Sequence, residues 1–105
     1  MSEGKSRYSV EQVVELTRLG KVVATRRVTQ WLANHDYEAK TTITEVLLAL
    51  QSRGRFIGSC RLHNGEIADE YVVRLDQDDW YLKFWIDEEH LIIDVYSCCW
   101  DGVVH

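Results

Sequence analysis

Proline is absent from this 105-residue chain, and cysteine occurs only three times. Without proline no strand loses a backbone donor, so every strand is free to pair. Three cysteines, two of them adjacent at Cys98-Cys99, make no disulfide framework, and a reducing compartment, the cytoplasm, is the expected location. No uncharged apolar run approaches the roughly 20 residues that cross a bilayer, and residues 1–9 lack the apolar stretch of a signal peptide, so neither a membrane nor export is expected. Also missing are a nucleotide-binding glycine loop, a Gly-x-Ser-x-Gly elbow and any Cys-x-x-Cys or His-x-x-x-His spacing. Neighbouring strand residues point to opposite faces, so Cys98 and Cys99 are not expected to share an ion. No metal and no cofactor are expected.

What is present suits one domain over residues 1–105, because an apolar share of 46% is ordinary for a chain that folds around a single core. The net charge of -5 argues against nonspecific nucleic-acid binding, but the average hides a division. From Met1 to Arg61 ten Lys or Arg face six Asp or Glu, a net of +4; from Leu62 to His105 two face eleven, a net of -9. The basic half offers a face for an anionic partner.

The helical half runs over about 9–53. Ser9 followed by Gln12 has the capping-box pattern, Val10, Val13, Val14 and Leu16 give an apolar face, and Gly20 is placed to end the helix. Lys21 to Ala24 form a connector that suits a short strand. Thr25 can cap a second helix through Val28, Trp31 and Leu32 to about Asn34, and Thr42 with Glu45 predicts a third carrying Ile43, Val46, Leu47 and Leu50.

From about 55 to 100 the apolar period changes from helical to alternating, and four strands are expected. The first, Arg55 to His63, puts Phe56, Gly58, Cys60 and Leu62 on one face and ends at the hairpin signal Asn64-Gly65. The others are Ile67 to Asp76, Trp80 to Ile86 and His90 to Trp100. In the third, Trp80, Leu82, Phe84 and Ile86 face the core while Tyr81, Lys83 and Trp85 face away. The expected fold class is α+β, with N-terminal helices packed on one face of a mainly antiparallel, about four-stranded C-terminal sheet.

The uncovered face is the candidate site. Tyr81, Lys83 and Trp85 stand about 7 Å apart at alternate positions, near enough for one ligand to touch all three. An ammonium beside a phenol and an indole suits a phosphodiester and its bases, since lysine neutralises phosphate while aromatics stack. Arg55, Arg61, His63 and Arg74 add cations and a proton carrier. Metal-free RNA cleavage by 2′-hydroxyl attack needs these types: a base for the hydroxyl proton and cations for the phosphate oxygens.

In the order of these features the chain resembles the MqsR family of toxin–antitoxin ribonucleases, whose sheet domain is RelE-like. The likeness rests on Tyr8-Ser9-Val10-Glu11-Gln12-Val13 leading to Leu19-Gly20-Lys21-Val22, on Ala24-Thr25-Arg26, on Ile43 to Leu50, on Ile67-Ala68-Asp69-Glu70-Tyr71, on Trp80-Tyr81-Leu82-Lys83-Phe84 and on Leu91 to Ser97. It implies an mRNA substrate cut without a metal, and a cognate antitoxin protein that holds the enzyme inactive. Tyr81 and Lys83 match the family's active-site pattern. Gly58 or Ser59 stands where a lysine is expected, Ala68 where a glutamine is, and the last strand ends Ser97-Cys98-Cys99-Trp100 instead of carrying a lysine. Tyr81 and Lys83, which the resemblance implies, and Arg61 and His63, which have the residue types the chemistry needs, form the expected catalytic set, with Arg55, Arg74 and Trp85 as expected RNA contacts. The departures support a second expectation, a catalytically depleted binding module on the same fold that engages a protein through Trp80, Trp85 or Trp100.

Overall fold

Helix formation begins where the local chemistry places it. In the computed structural model, which describes residues 5–102, Ser9 Oγ accepts the Gln12 N–H at 3.0 Å and opens helix α1, Val10–Arg18. Gly20 ends it in a left-handed conformation (φ 74°), which lets the Lys21 N–H reach Leu16 O at 2.9 Å and the Gly20 N–H reach Thr17 O at 3.0 Å. These two bonds satisfy carbonyls that the helix end leaves unpaired. The connector then forms strand β1, Val22–Ala24, and Thr25 caps helix α2, Arg26–Asn34, through the Val28 N–H.

The third helix starts earlier than Thr42. Asp36 adopts a positive φ of 67° and turns the chain, and the Glu38 carboxylate accepts the Thr41 N–H at 2.8 Å, so α3 runs Ala39–Leu48. Thr42 lies inside that helix, buried, and is no cap. A one-turn helix, α4 (Leu50–Arg53), leads into strand β2, Gly54–Arg61. Strands β3 (Ile67–Leu75), β4 (Asp78–Asp87) and β5 (Ile92–Trp100) follow.

The sheet has five strands, not four, in the order β1-β5-β4-β3-β2. Its β2 to β5 part is antiparallel, whereas β1 pairs parallel to β5, with Val22 opposite Ile93 and Ala24 opposite Val95. The fold is therefore α+β with a mixed sheet, and its fifth strand comes from the helical half.

One core lies between the four helices and one sheet face. Val13 and Leu16 of α1, Val28 and Leu32 of α2, Ile43, Val46 and Leu47 of α3 and Leu50 of α4 pack with Tyr71, Val73, Leu82, Phe84, Ile86, Ile93 and Val95. Phe84 is completely buried and stacks on Tyr71 with ring centroids 6.0 Å apart. The alternation of β4 matches expectation: Trp80, Leu82, Phe84 and Ile86 are buried, while Tyr81, Lys83 and Trp85 on the other face are half-buried.

Strand β2 departs from its expected pattern. A bulge falls between Phe56 and Gly58, so Phe56 sits opposite Tyr71 on the core side while Gly58 and Cys60 sit opposite Glu70 and Ala68 on the other. The extra residue, Ile57, reverses which side the following residues face. Phe56 and Cys60 accordingly do not share a face.

A carboxylate is buried in this core. Asp69 has no exposure, and its oxygens accept the Arg7 N–H, the Tyr8 N–H and the Ser59 hydroxyl, each at 2.9 Å. Tyr8 also donates its hydroxyl to Ile67 O at 2.7 Å. The segment before α1 is thereby tied to the middle of the sheet.

Candidate functional site

The face turned away from the helices is ordered in rows across the strands. One row runs Gly58, Glu70, Lys83 and Ser97, and the next runs Val72, Tyr81 and Cys99. Glu70 stands directly opposite Lys83, and its carboxylate lies near enough to the Tyr81 phenol and the Cys60 thiol to help keep both protonated. Burial, with Glu70 beside it, pushes Tyr81 well above the usual phenol range. A phenol that keeps its proton so firmly is a donor and an anchor, and a poor base.

Lys83 opens instead toward a depression of about 480 Å³ that it lines together with Arg61, Leu62, His63, Cys60, Tyr96, Thr25 and Arg27. Four elements meet there, β4 through Lys83 and three others. Arg61, Leu62 and His63 come from the end of β2 and its hairpin, in which Gly65 (φ 90°) donates to Leu62 O and the Glu66 N–H bonds to Asn64 Oδ1 at 3.0 Å. Arg61 gives one N–H to Gly65 O at 2.9 Å and so is held over the depression by its own turn. The other wall is the start of α2, where the partial positive charge of a helix N-terminus adds to the arginine side chains. An irregularity in β5 between Val95 and Ser97 supplies Tyr96. The lining holds three permanent cations and an imidazole, with no carboxylate among its residues.

Of the four catalytic residues that sequence reasoning names, Arg61, His63 and Lys83 meet at this depression and Tyr81 does not line it. The three expected RNA contacts lie elsewhere. Arg74 is paired with Asp79 at 3.1 Å, Arg55 is exposed opposite Val72, and Trp85 is half-buried opposite Asp94. Burial pushes the Asp94 carboxyl above its usual range and the nearby Trp85 indole only partly offsets this, while the indole N–H itself is buried with no hydrogen-bond partner among the described residues.

Arg27, Thr25 and Tyr96 escaped the sequence reading. The Arg26-Arg27 pair was the available signal, but its distance from the Arg61 hairpin is fixed only by the parallel β1–β5 pairing. Nor do the tryptophans form a free surface. Trp80 is buried, and Trp100 packs edge-on against Trp31 at 5.3 Å while its N–H donates to the Tyr37 hydroxyl at 3.2 Å.

The thiols diverge as strand geometry requires: Cys98 belongs to the core and Cys99 faces Tyr81 on the other side. Burial pushes Cys98 up to about 12 and Cys99 up to about 11 from an ordinary 9.0. Since the thiolate is the reacting form, a thiol reagent at neutral pH is expected to modify Cys60 first and to leave Cys98 and Cys99 unlabelled until urea is added. Mass spectrometry of the partly labelled protein checks this, and early modification of Cys98 contradicts it. The same shifts act on stability: unfolded thiols ionise near pH 9 while the folded ones stay neutral, so stability falls as pH rises from about 9 toward 12.

Asp87, Glu89 and His90 also come together, with potential ligand atoms within 4.8 Å of one another. Asp87 accepts the Glu89 and His90 N–H groups and meets the His90 ring at 2.8 Å, which accounts for the cluster as the β4–β5 turn. Among the described residues no helix is long and apolar enough to cross a membrane. No protein-family model and no curated protein sequence matches the chain.

Proposed function

We propose that the chain is a metal-independent endoribonuclease, similar to the MqsR-family toxins in the strand motif Tyr81-Leu82-Lys83, acting in the cytoplasm and neutralised by an antitoxin protein. The observation that supports this reading is the convergence of Lys83, Arg61, His63 and Arg27 on one depression with no carboxylate in its lining. Such a site attracts a phosphodiester and stabilises added negative charge on it.

The chemistry follows from the side-chain types. The ribose 2′-hydroxyl attacks the adjacent phosphorus while His63 accepts the hydroxyl proton, imidazole being the side chain suited to that exchange near neutral pH. Lys83, Arg61 and Arg27 neutralise the phosphate oxygens. The bond from phosphorus to the 5′-oxygen breaks, and that oxygen takes a proton from water. The products are a 2′,3′-cyclic phosphate and a 5′-hydroxyl end. Tyr81 lies outside the depression and keeps its proton, so it takes no part in the proton transfer.

The test is a defined single-stranded RNA incubated with the purified protein in EDTA, with the new ends mapped. Cleavage to cyclic-phosphate ends is expected. Intact RNA, together with unchanged transcript ends and growth on induced expression, would remove the proposal. The row Gly58, Glu70, Lys83, Ser97 has a single lysine, and that observation favours a second reading, a binding module without catalysis. Tight RNA binding with no cleavage would select it.

A further inference from the structure

Resting on the reading of RNA as the substrate, we propose that the exposed side of α2 is a track for a single-stranded RNA backbone leaving the depression. Arg27 belongs to both surfaces. It lines the depression on the sheet, and it also lines an open concavity of about 460 Å³ made by α2 itself, with Arg26, Gln30, Trp31 and Asn34. Arg26, Gln30 and Asn34 recur at intervals of four and so form one stripe along the helix, about 12 Å from end to end.

The charge on this stripe sets it apart from the rest of the molecule. Residues Arg26–Asn34 include no Asp or Glu, in a chain whose net charge is -5. Arg7 and Arg74 are paired with Glu88 and Asp79, whereas Arg26 and Arg27 have no ion-pair partner among the described residues. Arg26, Arg27, Gln30 and Asn34 are all exposed, and the helix is fixed from beneath by Val28, Leu32 and the edge-on packing of Trp31 against Trp80 and Trp100. A rigid row of guanidinium and amide donors that continues from a cationic depression fits a polyanion with regularly spaced phosphates. The bend from sheet face to helix requires a flexible strand, which is why the ligand is single-stranded.

Anisotropy of labelled 2′-O-methyl oligouridylates, which lack the attacking hydroxyl, separates the surfaces. A 12-mer is expected to bind wild-type protein about ten-fold more tightly than a 3-mer. The double variant Arg26→Ala with Gln30→Ala is expected to remove that gain and to lower the salt dependence of 12-mer binding by about one phosphate's worth, leaving the 3-mer unaffected. Lys83→Ala weakens both lengths. If the double variant keeps the full length dependence, the strand leaves by another route and the track is wrong while the depression stands. If a polyglutamate of matching charge binds as tightly as the 12-mer and is lost in the same variant, α2 docks an acidic protein instead. Absence of binding at either length removes both the track and the RNA reading.

Discussion

Replacing Asp69 by alanine is expected to cost about 3–5 kcal/mol of folding stability, measured as a shift of the urea unfolding midpoint. The carboxylate is fully buried and serves three donors, two of which are the backbone N–H groups of Arg7 and Tyr8. Alanine leaves those amides with no acceptor in a place water does not easily reach, and each orphaned donor costs about 1–3 kcal/mol. Ser59→Ala removes only the third donor, keeps the carboxylate paired, and is expected to cost about 1 kcal/mol. Equal and small losses in the two variants would show that the segment before α1 is not held by this group.

Lys83→Ala is expected to lower the rate of RNA cleavage by about 10²–10³, the usual effect of losing one preorganised partner for developing charge, while shifting stability by less than about 1 kcal/mol. Lys83 is half-buried on the face away from the core, so its removal opens no cavity among the helices. Tyr81→Phe supplies the contrast. Because the phenol keeps its proton and lies outside the depression, its loss is expected to reduce cleavage by less than about ten-fold. A collapse of activity in Tyr81→Phe with near-normal activity in Lys83→Ala would exchange the roles assigned to the two residues.

Local side-chain to backbone chemistry was readable in the sequence. Ser9, Gly20 and Thr25 mark the ends of α1 and the start of α2 because each acts within a few residues of itself. The inward positions of β4 were equally plain, since strict alternation around Trp80, Leu82, Phe84 and Ile86 has one reading. At Thr42 a competing local signal misled: Glu38, four residues earlier, caps the helix by accepting the Thr41 N–H in its first turn.

The remaining differences come from contacts between distant parts of the chain. β1 is three residues long and pairs with β5, so its sequence suits a short strand but carries no sign of the distant partner that brings it into the sheet. The β2 bulge is a property of register with β3, and it moves Cys60 to the side of Lys83. Asp69 alternates with Tyr71 and Val73 on the inward side of β3, but its donors Arg7 and Tyr8 lie about 60 positions away in the sequence. For the site, Arg61, His63 and Lys83 could be named by type and strand position, whereas Arg27 joins them only through tertiary placement.

The parallel pair of β1 and β5 also governs when this molecule becomes complete during synthesis. Val22 and Ile93 are about 70 positions apart, and β5 lies between β1 and β4 in the sheet, so its absence leaves β1 with no neighbour and opens the core at Ile93 and Val95. Closing so long a loop is entropically slow, and domains acquire native packing only when their distant segments are available. A nascent chain still lacking residues 92–100 therefore has neither the wall that Tyr96 provides nor a fixed seat for Arg27. Ribosome-bound intermediates lack the complete cationic depression until the last strand has emerged.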